Sequence, residues 1–181
     1  MLTELQTRKL TKLFSMYDEC HNGYLCKKDF EKIVKKLAGI RNWGLRSPRY
    51  VALMNQLERD WQGLDQVADK NQNQQVSIAE WLDYYDIVLN DSQKYEQQVK
   101  TLMELVFDVF KPDEQDGINE ANWGQLLSVY NVSPVYAPLI FPTLNTEGSG
   151  IITREQMLKL IRDFFYSDDA KTPANKMFGP Y

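Results

Sequence analysis

Asp69-Lys70-Asn71-Gln72-Asn73-Gln74-Gln75-Val76-Ser77-Ile78-Ala79-Glu80-Trp81 places an oxygen-bearing side chain at the first, third, fifth, ninth and twelfth positions of a twelve-residue run. The eighth position, Val76, is apolar and β-branched, and a large aromatic, Trp81, follows the twelfth. A hard dication takes six to eight oxygens at about 2.3–2.6 Å, and a tight loop that turns alternate side chains inward supplies them. Asp69, Asn71, Asn73 and Ser77 are expected to project side-chain oxygens, Gln75 to offer its backbone carbonyl, and Glu80 to close the cage with both carboxylate oxygens. Val76 is expected to bridge to a partner loop and Trp81 to open the exit helix on its buried face. Gln74 stands at position six, where the backbone prefers φ > 0 at a cost of roughly 1 kcal/mol to a non-glycine residue.

That spacing is the register of an EF-hand calcium loop, and it recurs. Thr3-Glu4-Leu5-Gln6 reads as a capping box, and Leu5, Leu10, Leu13, Phe14 and Tyr17 share one helical stripe. The helix runs into a window, 18–29, with Asp18 at one, Asn22 at five, Gly23 at six, Tyr24 at seven, Leu25 at eight and Asp29 at twelve. Phe30, Ile33, Val34 and Leu37 resume the helical period. After the connector around Trp43, Ser47-Pro48 marks a helix start, and Tyr50, Met54, Leu57, Trp61 and Leu64 lead into the Asp69 loop.

The second half repeats the plan. Ser92 is expected to cap a helix bearing Val99, Leu102, Met103, Val106, Phe107 and Phe110. It enters a third window, 111–122, with Ile118 at eight and Trp123 after it. A segment from Val132 to Leu144, punctuated by Pro134, Pro138 and Pro142, is expected to be helical but kinked. The fourth window, 145–156, has Gly150 at six and Ile152 at eight. An internal repeat of this kind sets the fold: all-α, four EF-hand helix-loop-helix units in two pairs, packed as one compact globule. The expected division is an N-terminal pair over 1–91, a C-terminal pair over 92–166, and a tail over 167–181. Met177, Phe178 and Tyr181 are apolar enough for that tail to dock on the two lobes.

Composition narrows the function classes. The chain has 181 residues and a net charge of −4, which argues against nucleic acid, whose recognition needs a basic footprint. Two cysteines make no disulfide framework. The first residues lack the pattern of a secretory signal, and no apolar run reaches the roughly 20 residues that span a bilayer. A cytoplasmic protein with no membrane span is expected. His21 is the single histidine and sits in a loop, so catalysis by a histidine-activated nucleophile is not expected, and neither is any other enzyme activity.

The four registers, the widened connector holding Trp43 and the aromatic C-terminal segment resemble the sarcoplasmic calcium-binding protein, calexcitin and calerythrin group. The resemblance covers essentially the whole chain. It implies a compact four-EF-hand protein that binds calcium as a buffer or sensor. The departures reduce that capacity. Lys111 and Asn122 replace the first and last carboxylates of loop three, and Asn145 and Gln156 those of loop four, so both are expected to be empty. Loop one keeps Asp18, Asn22, Tyr24 and Asp29 but puts Cys20 and Cys26, poor ligands for a hard cation, at positions three and nine. They stand either as a redox or soft-metal pair or as relics of a loop that no longer binds. Loop two, with Asp69, Asn71, Asn73, Gln75, Ser77 and Glu80, is the best site and loop one the weaker. The expected function is that of a calcium-binding protein of reduced capacity, a weak sensor or buffer with a protein partner. The alternative is a metal-independent adaptor that kept the scaffold and works through protein contacts.

Overall fold

The computed structural model describes residues 1–67 and 73–181. Helix α1 (Glu4–Tyr17) starts at a closed capping box, in which Thr3 Oγ1 accepts from the Gln6 amide and Gln6 Oε1 from the Thr3 amide. Its apolar stripe buries Leu10, Leu13, Phe14 and Tyr17. Helix α2 (Lys27–Ile40) buries Phe30, Ile33, Val34 and Leu37, and α3 (Pro48–Val67) opens with Ser47 Oγ accepting from the Tyr50 amide. Helix α4 (Ile78–Leu89) completes the first half.

The second half begins with α5 (Ser92–Tyr95), a π-helical turn (Glu96–Lys100) and α6 (Thr101–Phe110) stacked end to end. The cap here is Asp91 and not Ser92. The Asp91 carboxylate accepts from the Gln93 and Lys94 amides, and a charged acceptor suits the positive helix terminus better than a hydroxyl. Helices α7 (Glu120–Val129), α8 (Ala137–Leu144) and α9 (Arg154–Tyr166) follow. The segment expected to be a kinked helix from Val132 starts as a 3-10 turn, Pro134–Tyr136. Pro138 then falls in the first turn of α8, where a missing N–H removes no intrahelical bond.

The loops pair side by side. Strands β1 (Tyr24–Leu25) and β2 (Val76–Ser77) are antiparallel, with Leu25 opposite Val76. Ile118 and Ile152 exchange both backbone hydrogen bonds, at 2.9 and 2.8 Å. All four of these eighth-position side chains are fully buried. The architecture is therefore the all-α arrangement of four helix-loop-helix units in two pairs that the repeat implies.

One apolar core runs through both pairs. The Tyr85 ring of α4 stacks on Phe165 of α9 at 5.6 Å, and Tyr17 of α1 meets Tyr130, just past α7, edge-on. Asp108 on α6 pairs with Arg49 of α3 and Arg154 of α9. The last residues pass across this core with a 3-10 turn at Pro173–Lys176. Met177 and Phe178 are buried, and the Lys9 ammonium donates to the Ser167 carbonyl at 2.9 Å and to Asn175 Oδ1 at 3.1 Å.

Candidate metal-binding loops

Each loop ends the same way. Position nine is the N-cap of the exit helix and position twelve is its third residue: Cys26 and Asp29, Ser77 and Glu80, Asn119 and Asn122, Thr153 and Gln156. A side-chain acceptor at twelve that reaches back to the cap amide satisfies an otherwise orphan N–H. Asp29, Glu80 and Gln156 make that bond, a local demand that exists whether or not a cation is held; Asn122 does not.

In loop two, Glu80 Oε2 accepts from the Ser77 amide at 2.9 Å and from Ser77 Oγ at 2.8 Å. Asn73 Oδ1 accepts from the Gln75 amide at 2.9 Å, and the Gln75 side chain is exposed. Gln74 has φ 59°, the left-handed conformation that its register demands, adopted without glycine. Asp69 and Asn71 lie outside the described residues.

Loop one is folded on its own hydrogen bonds. The Asp18 carboxylate, 5% exposed, accepts from the Asn22 amide at 3.1 Å and the Gly23 amide at 2.8 Å. Asn22 Oδ1 takes the Tyr24 amide, and Asp29 Oδ2 takes the Cys26 amide at 2.8 Å. The Tyr24 side chain is exposed. Cys20 is an exposed free thiol whose Sγ lies 3.7 Å from Lys32 Nζ, and Cys26 is likewise free. Beside them the Lys36 ammonium holds the Glu19 carboxyl below the usual carboxylate range.

Loops three and four depart furthest from the register. In loop three the positive-φ residue at six is missing, Lys111 occupies position one, and Asn122 Oδ1 is buried with no hydrogen bond from the described residues. In loop four the Asn145 amide, in the orientation its neighbours favour, accepts from the Gly150 amide at 2.8 Å. Its nitrogen then donates to Ser149 Oγ at 3.1 Å and to the Ile151 carbonyl at 3.3 Å. Ile151 is the seventh residue, whose carbonyl is a metal ligand in a working loop. That carbonyl also accepts from Ser149 Oγ at 2.8 Å, within the loop itself.

Among the described residues no group of three or more His, Cys, Asp or Glu side chains stands close enough to hold a metal. In loop two Asn73 and Glu80 hold the fifth and twelfth positions of the register. Loop one offers two carboxylates with two thiols between them. A different polar group, outside the loops, is Asp60 and Gln56 on α3, both buried. The helical spacing held the signal, since Asp60 lies three residues after Leu57 and four before Leu64 on the buried stripe. Burial pushes the Asp60 carboxyl well above its ordinary range, against the opposing hydrogen bond from Gln56.

No protein-family model matches the sequence, and no curated protein is similar to it. Solved structures are. A sarcoplasmic calcium-binding protein from amphioxus superposes over 100% of both chains with a TM-score of 0.77 at 17% identity. A Streptomyces coelicolor calcium-binding protein, described in terms of prokaryotic calcium-mediated regulation, matches over 88% of this chain and 97% of its own, with a TM-score of 0.72 at 20% identity. Okadaic acid binding protein 2.1 matches over 99% and 97%, with a TM-score of 0.74 at 16% identity. The chain has the compact four-EF-hand fold of the sarcoplasmic calcium-binding proteins.

Proposed function

We propose that the protein binds calcium, first through the Asp69–Glu80 loop and more weakly through Asp18, Asn22, Tyr24 and Asp29, and serves as a low-capacity sensor or buffer in the cytoplasm. The observation that carries this reading is Gln74 at φ 59°. A loop with no ligand to hold gains by relaxing a strained non-glycine residue, yet this one keeps the left-handed turn at position six. Two calcium-binding proteins of the same fold among the solved structures support the same ion. With two carboxylates in the loop, affinity sits at the weak end of such sites, roughly 10⁻⁴–10⁻³ M. No helix among the described residues is long and apolar enough to cross a membrane.

The experiment is isothermal titration of chelator-treated protein with calcium. Saturable heat that disappears in Glu80→Gln is the expected result. No heat, together with unchanged tryptophan fluorescence, would sink the calcium reading and leave the adaptor, which acts through a protein partner.

A further inference from the structure

Between α3 and the π-helical turn the surface opens into a crevice of about 470 Å³, walled by Arg59, Gln62, Gln66, Gln97 and Thr101. Gln98 also lines a second, smaller space of about 20 Å³, bounded by Asp60, Tyr84, Tyr85 and Trp81. That inner space is the size of a single water or ammonium group. Gly63 makes the junction: a Cβ there would lie 3.2 Å from both Gln98 Nε2 and Tyr84 Oη. The π turn, a distortion found often at functional sites, presents the Gln97 carbonyl to the Gln56 amide nitrogen at 2.9 Å.

Asp60 and Gln98 both border the inner space. Gln98 Oε1 is buried and accepts from no described residue. Asp60 is 8% exposed, and the one group seen to donate to it is Gln56 Nε2, on Oδ1 at 2.7 Å. Arg59 gives Asp60 no direct hydrogen bond. It lies at the mouth with Nη2 on Gln56 Oε1 at 2.9 Å, which orients that amide so that its nitrogen faces the carboxyl. Aromatic rings, whose faces attract cations, complete the walls. A divalent ion would need six or more oxygens, more than this wall supplies; an ammonium needs about three acceptors.

We propose that this crevice binds a small primary amine, its ammonium head in the inner space against Asp60, Gln98 Oε1 and the aromatic faces, its polar body along the glutamines outside. The site is independent of the metal loops. An ammonium there supplies the hydrogen bond that Gln98 lacks and the counter-charge that lets the buried Asp60 carboxyl ionise.

The test uses the full chain with chelator present throughout, so that calcium plays no part. Ethanolamine hydrochloride is titrated while the fluorescence of the tryptophans, including Trp81 in the cavity wall, is followed. Ethylene glycol serves as the uncharged control. A saturable change with ethanolamine alone, weakened at least about tenfold in Asp60→Asn and in Gln98→Leu, is the expected result. Asp60→Asn keeps the shape and the Gln56 contact, and Gln98→Leu removes an unpaired polar atom, so one of the two is expected to remain folded by melting curve. Equal responses to both alcohols, no saturation, or undiminished binding in a folded variant overturns the proposal and leaves the inner space to a single water.

Discussion

The indole Nε1 of Trp81 donates to the Leu10 carbonyl at 3.0 Å, tying the exit helix of the second unit to the middle of α1. Trp123, the equivalent residue one unit later, donates instead to the Met177 carbonyl of the tail at 3.2 Å. The same position in the repeat thus anchors two different partners. Trp81→Phe is expected to destabilise the protein by about 1–3 kcal/mol, from a lost buried hydrogen bond and an unfilled volume. Urea unfolding checks it. In Trp123→Phe, limited proteolysis is expected to cut the tail earlier than in the parent protein.

Gly117 is required by closeness and not by φ. A Cβ there would lie 2.7 Å from the Ile152 carbonyl, backbone that cannot swing aside. Gly117→Ala is expected to cost about 1–3 kcal/mol and to break the Ile118–Ile152 bridge. Hydrogen exchange at the Ile118 and Ile152 amides reads that loss.

Gln74 carries a left-handed backbone that glycine adopts freely. Gln74→Gly is expected to raise stability by about 0.5–1 kcal/mol, since the relief of strain outweighs the extra freedom of the unfolded chain. A lower urea midpoint would show that contacts of the glutamine side chain dominate.

Lys9 gives a pH signature. Burial lowers its ammonium pKa from 10.5 to about 8, against the opposing charges of Asp168 and Asp163. Below pH 8 the folded and unfolded chains both carry the proton, and folding bears the full cost of burying it. Between about pH 8 and 10 the folded chain has released the proton while the unfolded chain still holds it, so stability rises with pH. The gain is expected in the parent protein and not in Lys9→Met, measured by urea unfolding at neutral pH and near pH 9.

Alkaline pH reverses the trend. Burial raises the phenols of Tyr17 and Tyr85 well above 10, and that of Tyr130 upward also. Past pH 10 the unfolded chain ionises its tyrosines first, and stability falls. Parallel titration of tyrosine absorbance and helical circular dichroism is expected to show both changing together, as one unfolding transition.

What was legible in the sequence was short-range. The capping box at Thr3, the apolar eighth residues and the positive φ at Gln74 depend on neighbours within about twelve positions, and the repeat states the eighth residue four times. The proline-marked segment was harder because Pro134 and Pro138 both sit at helix starts, so one expected helix divides into a 3-10 turn and α8. Lys9 and Asp60 read as ordinary polar residues, since no local pattern says that a lysine will meet Ser167 or that an aspartate will face Gln98.

The sequence by itself determined the helices, the loop registers and the pairing of loops, because hydrophobic period, capping and turn chemistry act within one unit and its mate. Only the tertiary structure decided that Lys9 clasps the tail and that Asp60 lies beside a glutamine-lined crevice. Those outcomes turn on burial and on the three-dimensional aim of polar atoms. Both are set when separate segments pack and exclude water, and neither leaves a period in the chain.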